Sequence, residues 1–218
     1  MSLRAARRRD APTERAAESP WKPARERARE RENKREAVLV AAARVFRERG
    51  VHNATLDDIA SFLNVTKPTS YYYLSSKEQI IFECFRLGIG RIAAALAELG
   101  KTRDSGREKL AALVRRYVEV MASDFGWCMV RVEDHDVSPA VARRINSMKS
   151  EIDQGIRRLI REGAADGSIR ECDPKMAAFA LAGALNGIGH WYRAGEPLSP
   201  GEIATRFLEL FEKGLQPG

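Results

Sequence analysis

The chain reads as an all-α protein: an N-terminal three-helix domain containing a helix-turn-helix, then a larger helical domain. Three observations lead there. Apolar residues recur at helical spacing through most of the chain, and no stretch alternates like a strand flanked by hairpin turns. Cap residues punctuate the pattern, with Ser138-Pro139 and Asp173-Pro174 as starts and Gly50 and Gly167 as stops. Finally, two short helical segments are separated only by Asn64-Val65-Thr66, the spacing of a helix-turn-helix.

A length of 218 residues, 44% hydrophobic and 31% charged, suits a soluble protein with a substantial core. Arginines continue where the apolar segment of a signal peptide would begin, and no apolar run is long enough to span a bilayer, so the cytoplasm is the expected compartment. Cys84, Cys128 and Cys172 are odd in number and widely spaced, which reads as three separate buried thiols. The net charge of +7 is uneven: residues 1–36 hold 12 Lys/Arg against 7 Asp/Glu. Three prolines and few large apolar groups make residues 1–33 a largely disordered basic arm whose end, "ARERARERENKRE", can extend the first helix.

Residues 34–80 form the expected DNA-reading domain. "EAVLVAAARVFRERG" places Val38, Leu39, Ala42, Val45 and Phe46 on one face. Thr55 is the expected N-cap of the next helix, with Asp57 and Asp58 in its first turn. Asn64 tolerates the left-handed backbone of the turn, Val65 plugs the gap between helices, and Thr66 caps the second helix. Pro68 costs little in a first helical turn. Such a second helix points its N-terminal residues into the major groove, so Lys67, Thr69 and Ser70 are expected at base edges or phosphates. Tyr71, Tyr72 and Tyr73 in succession cannot all face one core; at least one braces the DNA backbone. Lys77, at the start of the following helix, adds a cation where phosphate is favoured. The expected DNA-contacting set is Thr55, Thr66, Lys67, Pro68, Thr69, Ser70, Tyr71, Tyr72 and Lys77.

These residues resemble the N-terminal domain of the tetracycline-repressor (TetR) family of bacterial transcriptional regulators. Thr55, Ile59 and Ala60 occupy its Thr…Ile-Ala positions, Val65 to Thr69 its recognition segment, Tyr71 its tyrosine, and Ser76, Lys77 and Glu78 its Ser-Lys-Glu step. Asn64 and Pro68 replace usual glycines, and Leu74 a usual phenylalanine. The resemblance implies a homodimer that binds a palindromic double-stranded operator, most often as a repressor, and is released by a small effector. An activator of the same fold is the alternative.

Residues 81–218 form the expected effector-binding and dimerisation domain. "DPKMAAFALAGALNGIGHWYRAG" is rich in small residues and should be buried on more than one face; with Ile203, Phe207, Leu210 and Phe211 it forms the expected dimer surface. The expected apolar pocket is lined by Tyr117, Met121, Trp127, Met129, Met148, Ile152, Trp191 and Tyr192. "GHWYRAGEPLSPGEIATRFLEL" resembles the C-terminal part of the acyl-CoA-sensing branch of the family. On that basis Arg131, with Arg143, Arg144 and Arg193, is a candidate for coenzyme A phosphates. The competing class is a metal-dependent enzyme built on Glu133, Asp134, His135 and Asp136. Acids before a Ser-Pro helix start read instead as a polar loop. No enzyme motif is present, and no metal, cofactor or membrane is expected.

Overall fold

The structure is a computed structural model that describes residues 23–66, 76–195 and 197–213. Eight α-helices occupy them: α1 (Ala24–Arg49), α2 (Leu56–Phe62), α3 (Lys77–Leu99), α4 (Gly106–Met121), α5 (Asp124–Arg131), α6 (Pro139–Ala165), α7 (Pro174–Trp191) and α8 (Pro200–Lys213). A 3-10 turn, Asp134–Asp136, joins α5 to α6. There is no strand among the described residues.

The chain falls into two compact units, Met1–Lys34 and Arg35–Gly218. The described part of the first is the exposed start of α1. Helix begins at Ala24, where the stretch expected to extend the first helix starts, because its Ala, Arg and Glu residues are good helix formers. Every buried residue of α1 lies in the second unit, among them the five on the expected face.

The helix starts are capped, at Ser138 and Asp173 as expected. Ser76, Ser105 and Ser138 accept from backbone N–H groups three residues on, and Asp173 accepts from Lys175 and Met176. Within the second unit, α3, α4 and α6 pack pairwise, α7 lies against α4, α5 and α6, and α8 closes on α4. Glu83, a buried carboxylate of α3, is neutralised by Arg35 at 2.9 Å and Arg86 at 2.6 Å, which ties α1 to α3. Cys84 and Cys128 are both buried and are neighbours, not separate thiols; the Cys128 thiol, with burial, pushes the Cys84 thiol up.

Where α4 starts, it meets the end of α6 backbone to backbone. Gly106 N–H donates to Asp166 Oδ2 at 2.7 Å and Arg107 N–H to Ser168 Oγ at 3.1 Å, which satisfies two amides left open at the helix start. A Cβ on Gly106 would stand 2.1 Å from the backbone nitrogen of Gly163, a clash that no side-chain rotation relieves. Gly106→Ala should therefore lower stability by about 3 kcal/mol, the upper end of the cost of overpacking. A drop in the urea midpoint measures it. Gly90→Ala, at an exposed α3 position with nothing within 4 Å, should cost nothing.

Candidate nucleic-acid and effector sites

α1 stops at Gly50, whose φ is +80°, and a short turn leads to α2. Thr55 caps α2. Its hydroxyl accepts from Asp58 N–H at 3.2 Å and donates to Asp58 Oδ2 at 2.8 Å, while Thr55 N–H donates to the same oxygen at 2.9 Å. The Thr55 hydroxyl, then its N–H, and the nearby Arg49 guanidinium hold the Asp58 carboxyl below the usual carboxylate range. Thr55 is thus engaged within the protein, where the sequence suggested a DNA contact as well.

The exit from α2 is a Schellman turn. Asn64 N–H donates to Ser61 O and Val65 N–H to Ala60 O, each at 3.1 Å, and Asn64 adopts φ +53°. Asparagine takes the left-handed position, as its local hydrogen-bonding side chain allows. One apolar expectation changes. Val65, expected to fill the gap between helices, is exposed. Leu63 packs on the core while Phe62 faces solvent. Thr66 is exposed. Lys67, Pro68, Thr69, Ser70, Tyr71 and Tyr72 lie outside the described residues.

Lys77 opens α3. Its Nζ donates to the carbonyls of Val51 at 2.7 Å, His52 at 3.0 Å and Ala54 at 3.5 Å. An ammonium has three protons, and all three are committed to the turn between α1 and α2. Lys77 thus braces that turn.

Further contacts join this part to the larger helices. Arg44 Nε donates to Asp124 Oδ2 at 3.0 Å, and Arg47 Nη2 donates to the carbonyl of Tyr192 at 3.4 Å. The Ser138 N–H donates to the Glu78 carboxylate, and the Ser138 hydroxyl, then this N–H, hold that carboxyl below its usual range.

The nine residues expected to bind an effector are dispersed. Tyr117, Met121 and Ile152 are buried in the core. Tyr117 donates its hydroxyl to Asn186 Oδ1 at 2.9 Å, and burial pushes its pKa up to about 12. Trp127, Met129, Met148 and Tyr192 are half-buried around the core, and Arg131 and Trp191 are exposed. Arg144 stacks on the Phe82 ring at 4.0 Å and Arg193 donates to the carbonyls of His190 and Tyr192; Arg143 is exposed.

A cavity of about 450 Å³ lies elsewhere, and none of the nine lines it. It opens between the starts of α4 and α7 and the ends of α6 and α8. Its interior is aliphatic, with Leu110, Val114, Ile160 and Leu181, and exposed Arg107 and Arg170 stand on its solvent side. Small aliphatic residues at helix ends carry no sequence signal beyond ordinary core.

An apolar face is also exposed, and it adjoins the cavity, which Phe211 helps to line. Met176, Phe179, Gly183, Gly187 and Trp191 follow one another along α7 at helical spacing, and Met176, Phe179 and Trp191 are each at least half exposed. On α8 the expected stripe divides: Ile203 is buried, Phe207 half-buried, and Leu210 and Phe211 face solvent. The small residues of α7 are therefore not all covered within one chain, although Gly189 packs against the backbone of Gly126.

Two family patterns match this chain: bacterial regulatory proteins, tetR family, over residues 38–84, and tetracyclin repressor-like, C-terminal domain, over residues 103–215. Three relatives agree. The HTH-type transcriptional repressor KstR2 of Rhodococcus jostii is 27% identical, over 84% of this chain and 91% of that one. The HTH-type transcriptional activator FasR of Mycolicibacterium smegmatis is 24% identical over 85% and 84%, and the fatty acid metabolism regulator protein of Bacillus subtilis 23% over 82% and 93%. Among solved structures, the TetR family transcriptional regulator PfmR of Thermus thermophilus is 25% identical with a TM-score of 0.75, covering 83% of this chain and 99% of that one. No described helix is long and apolar enough to cross a membrane. With its helix-turn-helix and its larger helical part both matched, the chain belongs to the tetracycline-repressor (TetR) family of bacterial transcriptional regulators.

Proposed function

We propose that this regulator is a cytoplasmic homodimeric repressor, bound to a palindromic operator through the segment that begins at Thr66 and released by an acyl-CoA thioester. Its role is regulation without catalysis. The exposed stripe on α7 and α8 supplies the two-fold contact, and a dimer presents two reading helices to half-sites about 34–36 Å apart. A repressor and a fatty acid metabolism regulator among the relatives support both halves of the reading.

The observation that carries the effector is the cavity. Its volume falls in the range of ligand sites, its aliphatic interior suits an acyl chain, and Arg107 and Arg170 suit the anionic end of the ligand. α7 links it to the DNA-reading part: Ala177 and Leu181 line the cavity, and the helix ends at Tyr192, whose carbonyl receives Arg47 of α1. An acyl chain that spreads α4 from α7 would shift that end and the spacing of the reading helices. Operator affinity then falls by the difference in effector affinity between the two states.

Fluorescence anisotropy on the operator upstream of the protein's own gene tests this. Acyl-CoA thioesters of increasing chain length should release DNA, and Ala177→Phe, which fills the cavity, should abolish release while leaving operator affinity unchanged. Absence of release at every chain length removes the acyl-CoA reading; release that persists undiminished in Ala177→Phe moves the site elsewhere.

A further inference from the structure

One cluster belongs to neither the operator nor the effector reading. His52 lies in the turn after α1, and His135 and Asp136 lie in the 3-10 turn before α6. The fold brings them together: the imidazoles stack with centroids 6.0 Å apart, and one ligand atom from each of the three groups falls within 4.8 Å of the others. His52 Nε2 is 3.0 Å and His135 Nε2 3.9 Å from the same oxygen, Asp136 Oδ1. Two ligands bound tetrahedrally at zinc distances of about 2.0–2.1 Å stand about 3.3 Å apart. The cluster therefore has nearly the dimensions of a coordination face.

Asp136 supplies the independent sign. Its side chain is only 4% exposed, its Oδ2 accepts from Glu133 N–H at 2.8 Å, and its Oδ1 is buried without a hydrogen-bond partner. A buried carboxylate oxygen left open is costly. The His52 nitrogen that approaches it does so without hydrogen-bond geometry. A cation held between the two imidazoles and the carboxylate would give that open oxygen its partner.

The surroundings are those of ligands held in place. Glu133 Oε2 lies 3.4 Å from His135 Nδ1, the arrangement in which a carboxylate fixes an imidazole with Nε2 turned to an ion. Glu133 also holds the second oxygen of Asp136 through its N–H, and Lys77 holds the His52 carbonyl. Both imidazoles are mostly exposed, which gives an ion a way in. Two nitrogens and one oxygen favour zinc and its d-block neighbours over calcium or magnesium, which prefer all-oxygen sets.

We propose that His52, His135 and Asp136 bind one zinc-class divalent ion, with water completing its shell, and that this ion pins the α1–α2 turn to the start of α6. The site stands whether or not acyl-CoA proves to be the effector, because its readout is metal binding itself. Metal-free full-length protein is titrated with cobalt(II). One equivalent should give visible d–d bands without a thiolate charge-transfer band, and one equivalent of zinc should erase them. His52→Ala and His135→Ala should each weaken binding at least about ten-fold, and Glu133→Gln, one shell out, also by about ten-fold. His190→Ala should bind as the wild type does. Zinc should raise the melting temperature of the wild type and leave that of the double variant, His52→Ala with His135→Ala, unmoved. An undiminished cobalt spectrum in that double variant, a thiolate band, or no binding at micromolar metal would each overturn the assignment.

Discussion

Gly183→Arg is expected to convert the dimer into monomers and to lower operator affinity by on the order of 100-fold, the scale lost when two linked binding events become independent. Gly183 sits in the middle of the exposed stripe on α7, between Phe179 and Gly187. Nothing lies within 4 Å of the position its Cβ would take, so a single chain has room for the new side chain. Replacing glycine inside a helix even favours that helix, by up to about 1 kcal/mol. Across a two-fold axis the same side chain meets its own copy or that copy's neighbours. There it becomes both a wedge that holds two backbones apart and a pair of like charges in an apolar contact. The monomer should keep its melting behaviour in dilute solution, which separates lost association from lost folding. Analytical ultracentrifugation and operator anisotropy read the two effects. An unchanged sedimentation coefficient would move the dimer contact away from α7.

Most of the fold was legible in the sequence because its signals are local. Thr55, Ser138 and Asp173 announce helix starts through a side chain that reaches three residues at most, and all three cap as expected. Asn64 was readable for the same reason: a short amide side chain between two helical patterns marks a left-handed residue, and its φ is +53°. The sites were less legible because they depend on groups distant in sequence. Lys77 looked like a phosphate ligand from its place at a helix start. Only the folded chain brings the carbonyls of Val51, His52 and Ala54 under its ammonium. His135 and Asp136 read as a polar loop until folding sets His52 beside them. Tyr117, Met121 and Ile152 are buried, and large apolar side chains at helical spacing give one pattern for core and for pocket.

Lys77→Gln is expected to destabilise the protein by about 3 kcal/mol while leaving the salt dependence of operator binding unchanged. The two halves of that statement separate a strut from a phosphate ligand. Hydrogen bonds from a charged donor contribute about 1.5–3 kcal/mol each, and Lys77 makes two short ones and a long one to the same turn. A glutamine amide is shorter, uncharged and has two protons, so it cannot reach all three carbonyls. The turn between α1 and α2 should loosen, and amide exchange at Val51 to Ala54 should quicken first. Operator affinity should fall because fewer molecules hold α2 in place. A lysine on a phosphate behaves differently: its removal lowers the slope of log K against log salt by about 0.9 and leaves the melting temperature nearly untouched. Thermal melts and anisotropy at several salt concentrations, on the same variant, give both numbers. A flattened slope with normal stability would return Lys77 to the DNA backbone and mean that its carbonyl contacts are exchanged on binding.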